Sequence, residues 1–154
     1  MDDAVLLNER LRVRETIERY FFGVDAKDEE ALVRCFTDEA RAEHHRMTPE
    51  ESIISGGLSI AKDVYSNCSQ FTCSNHSVSN FVVDINSDGA NANTFAIAHV
   101  ILGTKALLRG LRYQDHLIRD LDGWRIARRI HTPLWQIEAD VLPPAFAQAL
   151  SDHK

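Results

Sequence analysis

Asp25 stands inside "ERYFFGVDAKDEE" (residues 18–30), next to Phe21, Phe22 and Val24 and five positions after Tyr20. An ionised carboxylate beside so much apolar surface is costly unless a partner meets it. It also falls near the C-terminal end of a helix, where free carbonyls already carry partial negative charge, so it calls for a cation. His76, in "NHSVSNFVVDI", is the candidate. A carboxylate that takes a hydrogen bond from one ring nitrogen fixes the tautomer and leaves the other nitrogen as a base. Such a pair can move a proton at neutral pH. The plainer alternatives are an exposed helix-end acid paired with Lys27 and a core histidine satisfied by a backbone carbonyl.

Tyr20 lies roughly 140° from Asp25 around an ideal helix, so the two would flank a ligand rather than bond each other. A tyrosine hydroxyl in an apolar pocket donates well to a carbonyl or enolate oxygen; the alternative is a core aromatic with a wet tip. Phe21 supplies apolar surface for the same ligand. His99, in "AIAHVIL", shares a strand face with Phe95, Ile97 and Ile101, opposite Ala96, Ala98 and Val100. If the bulkier face is the interior, His99 looks into the pocket. Arg119, on one strand face with Tyr113, Asp115 and Leu117, would bind an anionic or carbonyl group there, or else pair structurally with Asp115.

Other chemistries find little support. No H-x-x-x-H or H-E-x-x-H occurs, and the adjacent His44 and His45 would point to opposite faces of a strand, so no metal is expected. A G-x-S-x-G elbow, a G-x-G-x-x-G and a P-loop are all missing, and no cofactor is expected.

The elements that must position these residues follow from periodicity. Apolar residues at helical spacing predict a first helix from Leu6 to about Ala26. Asp28 reads as the cap of a short second helix, "EEALVRCF". "TDEARAEHH" alternates as a short strand. "TPEE" at 48–51 has the spacing of a helix start, with a third helical region, dented by Gly56 and Gly57, running to about Tyr65. After Cys73 the period becomes 2, and four consecutive strands follow, with "NSDG" and "DG" as turns; "RIARR" (125–129) is a short strand-like run with isoleucines expected to point inward. "PPAFAQALSDHK" closes the chain as a short helix or tail. Helices first and a meander afterwards mean α+β, a cone of curved antiparallel sheet with helices over one face and a pocket inside.

With 154 residues, 44% hydrophobic and 26% charged, the chain reads as one soluble domain spanning 1–154. It has no apolar run of roughly 20 residues to cross a membrane. The mixed charges of "MDDAVLLNERLRVRE" do not make a secretory signal, which leads to an expected cytoplasmic home. Cys35, Cys68 and Cys73 lack C-x-x-C spacing and are expected reduced, with Cys35 in the core. A net charge of −6, with no stripe of Lys and Arg, argues against a nucleic-acid partner.

Beyond these readings, "IERYFFGVDAKDEEALVRCFTDEA", the Gly-containing helix, "NHSVSNFVVDI" and "RYQDHLIRDLDGWRIARRI" resemble the SnoaL-like branch of the NTF2-like superfamily over nearly the whole chain. Within it the pattern is similar to scytalone dehydratase, the bile-acid 7α-dehydratase and the hexachlorocyclohexane dehydrochlorinase, cofactor-free lyases with a helix-borne Asp beside a strand-borne His. The resemblance implies Asp25 and His76 as the dyad, Tyr20 as a pocket tyrosine that favours loss of water over loss of chloride, His99 as a second histidine, and Arg119 as an active-site arginine. It also implies a dehydratase acting on a small hydrophobic cyclic hydroxy-carbonyl substrate, in a homodimer or homotrimer. A related isomerase or polyketide cyclase, a non-catalytic subunit like the β subunits of aromatic-ring dioxygenases, and a small-molecule-binding module are the alternatives.

Overall fold

The computed structural model describes residues 2–45 and 51–141. Helix α1 spans Asp3–Ala26 and α2 spans Glu29–Cys35, followed by strands β1 (Phe36–His45) and β2 (Glu51–Ser55), helix α3 (Gly57–Cys68), and strands β3 (Cys73–Asn86), β4 (Gly89–Leu102), β5 (Lys105–Asp120) and β6 (Gly123–Asp140). The three helices pack on a curved, unclosed six-stranded sheet of order β2-β1-β6-β5-β4-β3. The expected α+β cone is therefore present. All neighbours are antiparallel except β1 and β6, which run parallel.

Local chemistry explains the boundaries. Lys27 ends α1 in the left-handed conformation, and Asp28 caps α2 by accepting from the Ala31 N–H at 2.9 Å. The β3–β4, β4–β5 and β5–β6 connections are two-residue turns, each with a positive-φ glycine in the turn or just after it: Gly89, Gly103 and Gly123. The helix expected to start at "TPEE" is replaced by β2 from Glu51; residues 48–50 lie outside the described residues, as does the expected closing segment. The helix begins only at Gly57, where a Cβ would come within 2.3 Å of the Thr37 carbonyl oxygen. Glycine lets α3 start hard against β1.

The core lies between the helices and the inner face of the sheet, with Val13, Ile17, Leu32, Ile60, Leu117 and Ile126 fully or almost fully buried. Alternation along β4 turns Ala90, Ala92, Thr94, Ala96, Ala98 and Val100 inward. This mostly small-residue face leaves space under the helices.

Two bulges set what else faces that space. Leu117 pairs with Ile126 but His116 pairs with Arg128, so Ala127 is an extra residue and the inward phase of β6 changes there. Trp124 and Ile126 point inward before it, and Arg129 after it. The expectation of inward isoleucines thus holds for Ile126, while Ile130 falls on the opposite face from Arg129. A second shift, between Gly110 and Leu111, inserts Leu134 and places Trp135 over Gly110.

Candidate active site

Asp25 and His76 are in contact. Oδ1 of Asp25 lies 2.7 Å from Nδ1 of the imidazole, and the Ser74 hydroxyl donates to the same oxygen at 2.7 Å. Oδ2 accepts from the backbone N–H of His76 at 2.8 Å. Burial alone would lift the Asp25 carboxyl, but the bonds from the His76 ring, Ser74 and the His76 backbone outweigh it and hold the group below its ordinary range. An ionised Asp25 requires the proton on Nδ1, so the acceptor lone pair of His76 is on Nε2. Ser74 stands two residues before His76, and that spacing alone puts it on the same strand face. Lys27 does not pair with Asp25; its Nζ donates to the Phe71 carbonyl at 2.6 Å.

Successive residues of α1 divide the work. Tyr20 and Val24 line a cavity of about 450 Å³, walled by α1, α3 and the inner faces of β1 and β3–β6, and His76 lines it from β3. That volume falls in the range of small-molecule sites. Phe21, expected at the substrate, is not among the lining residues: its ring stacks on the imidazole of His76 and packs edge-on against Tyr113. A larger groove of about 790 Å³ lies outside, between α1, α2 and the β5–β6 turn, but includes neither Asp25 nor His76.

Two other expected residues are elsewhere. His99 is exposed on the outer sheet face, because the alanine face of β4, not the bulky one, is the inner one. Arg119 lies 3.2 Å from Oε2 of Glu9 and is 52% exposed; the buried Glu9 carboxylate, which also accepts from Trp124 Nε1 at 2.7 Å, draws it away from the cavity. Asp115 pairs instead with Arg129.

The cavity gains residues not anticipated. Tyr113, from β5, supplies a second pocket tyrosine, and His131, Arg109 and both His44 and His45 also line it. The two adjacent histidines thus reach one cavity despite the alternation expected of a strand. Arg129, fully buried, donates to both oxygens of Asp115 at 2.7 and 2.9 Å, and its guanidinium lies 3.9 Å over the Tyr20 ring. Burial raises the Tyr20 phenol against the opposing pull of Arg129, and raises Tyr113 well above its ordinary range, so both stay protonated donors. The ring of His131 stacks on Tyr113, and its Nδ1 is 3.4 Å from Nδ1 of His44. Burial, then the charges of His44, Arg129, Arg109 and His76, lower His131 to about 3. It is a neutral imidazole at any ordinary pH.

A curved sheet covered by helices, with a cavity of mixed polar and apolar lining between them, is the NTF2-like fold. The chain belongs to the SnoaL-like domain family, whose model matches residues 6–130. An uncharacterized protein of Mycobacterium tuberculosis strain H37Rv, Rv2910c, is 26% identical over 134 residues, covering 84% of this chain and 88% of its own. Among solved structures, a protein assigned as a scytalone dehydratase from Novosphingobium aromaticivorans superposes with a TM-score of 0.75 at 18% identity, over 94% of this chain and 95% of that one. The hexachlorocyclohexane dehydrochlorinase LinA-type3 from Novosphingobium barchaimii gives 0.78 at 16% identity, over 93% and 100%. At these identities the likeness is one of fold.

Proposed function

We propose that the protein is a cofactor-independent lyase, a dehydratase for a small, hydrophobic, cyclic hydroxy-carbonyl compound. The observation that carries the reading is the Asp25–His76 pair: Nδ1 is engaged by a carboxylate, and the ring lines the cavity beside Val24, Ala98, Val100 and Leu111. In this reading Nε2 of His76 takes the proton from the carbon next to the carbonyl, and the electron pair moves into an enolate. Tyr20 donates a hydrogen bond to the enolate oxygen as charge develops there. The enolate then re-forms the carbonyl and expels the β-hydroxyl, which takes the proton back from Nε2 and leaves as water. The products are the unsaturated carbonyl compound and water, and His76 ends as it began. Asp25 stabilises the imidazolium throughout and stays ionised. With His99 on the outer face, the returning proton is assigned to His76 alone.

The test is incubation with a panel of cyclic β-hydroxyketones, followed by mass spectrometry for loss of water. The expected result is turnover by the wild type and a fall of about 10²- to 10⁴-fold in His76→Gln. Equal turnover by His76→Gln would remove the base. Exchange of the acidic proton with solvent deuterium, without loss of water, would redirect the reading to an isomerase or cyclase that uses the same base. The exposed Phe95, Leu134, Trp135 and Ile137 of the sheet support a homodimer or homotrimer, checked by light scattering on the eluting protein.

A further inference from the structure

Arg109 lines the cavity from the inner face of β5. In the sheet, His76 pairs with Ala98 and Ala98 pairs with Arg109, so the three residues form one row across β3, β4 and β5. Neighbouring strands lie about 4.8 Å apart, which puts the backbones of His76 and Arg109 about 10 Å from each other. Between them stands only the methyl group of Ala98, 1% exposed.

Every other arginine of β5 and β6 has an oxygen partner: Arg112 donates to Asn93, Arg125 to Asp120, Arg128 to Glu43 and Arg129 to Asp115, and Arg119 pairs with Glu9. Arg109 makes no ion pair or hydrogen bond among the described residues, and its Nε is buried without a partner. The one carboxylate among the described lining residues, Asp63 on α3, accepts from Asn67 at 3.2 Å instead. A half-buried guanidinium facing a cavity is a costly arrangement until an anion arrives. Its planar fork matches a carboxylate in particular.

We propose that Arg109 recognises an anionic oxygen group on the ligand, a carboxylate in its simplest form, held about one ring's width from the atom that faces His76. The substrate class narrows accordingly, from a neutral cyclic hydroxyketone to one that also bears an acid. The distance to the reacting carbon rests on the proton-abstraction reading above, whereas the preference for an anion does not.

The experiment compares 3-oxocyclohexanecarboxylate with its neutral carboxamide by calorimetric titration of the full chain. Wild type binds the carboxylate about tenfold or more tightly than the amide, as a charge-assisted hydrogen bond implies. Arg109→Leu loses that difference while binding the amide as wild type does and melting at the same temperature. Asp25→Asn keeps the difference, so failure of the dyad and failure of the anion site are read separately. A carboxylate that binds no more tightly than the amide to wild type, whether both bind or neither does, overturns the proposal; so does a preference that survives in Arg109→Leu.

Discussion

The ring of Phe21 lies against the imidazole of His76, with centroids 5.4 Å apart and planes inclined by 24°. Phe21 and Asp25 are one helical turn apart, so a single face of α1 fixes both the plane of the imidazole and the proton on its Nδ1. Phe21→Leu keeps apolar volume but removes the flat surface. The expected outcome is a folded protein whose turnover falls by about tenfold or more, with little change in KM, because a misaimed base affects the reaction more than ligand binding. Steady-state kinetics on the substrate found in the hydroxyketone screen checks this.

Asp25→Asn leaves the cavity's shape intact but removes the negative charge that holds the Nδ1 proton. ¹⁵N spectra of the His76 ring are expected to show one tautomer in the wild type and a mixture in the variant. An unchanged tautomer would mean that the backbone, rather than the carboxylate, sets the ring. The stabilisation due to ionised Asp25 is fully present above about pH 4, the value of an unfolded aspartate, and is lost as pH falls through its lower folded value. Asp25→Asn should not show that part of the acid dependence in urea titrations.

His131 gives an acid dependence in a different window. Its folded value is lowered to about 3, while an unfolded histidine titrates near 6.5. Between those limits the unfolded chain holds the extra proton, so stability declines as pH falls from about 6.5 toward 3, by up to about 1.4 kcal/mol per pH unit. His131→Phe keeps a ring against Tyr113 and cannot ionise. Urea midpoints measured from pH 7 to pH 4 should decline less steeply for the variant than for the wild type.

Asp115→Ala strands the buried Arg129 charge beneath Tyr20. A loss of about 3–5 kcal/mol in unfolding free energy is expected, as for other buried pairs broken on one side. Replacing both members by apolar residues, as in Asp115→Leu with Arg129→Met, should recover much of it. If the single variant were as stable as the wild type, Arg129 would have to be reaching water in the folded protein.

The long strands and their turns were legible from local signals, a period of 2 and glycine after a turn, whereas the Asp25–His76 contact joins residues 51 apart, stood beside plainer alternatives on the residues alone, and was implied by the resemblance. What escaped the sequence depends on register. Arg129 faces inward because Ala127 is an extra residue opposite His116–Leu117, and nothing in "RIARRIH" announces a bulge. His99 faces outward because the inner face of β4 is the alanine one, although bulk alone points the other way. Arg119 was lost to a long-range neighbour, Glu9, 110 residues earlier in the chain. The strand Glu51–Ser55 follows a stretch with the spacing of a helix cap, and only its two isoleucines suit a strand pairing with β1.

His76 borders two spaces. One is the cavity; the other is a small external groove that it shares with Asp25, Arg14, Glu18, Phe22 and Asn75. The imidazole and its carboxylate thus form a partition one ring thick between the two spaces, with the Asp25 side chain 20% exposed. A ligand that fills the cavity would leave the Asp25 carboxylate bordering the groove. The pair is therefore bordered from two sides, the imidazole by the cavity and the carboxylate by the groove.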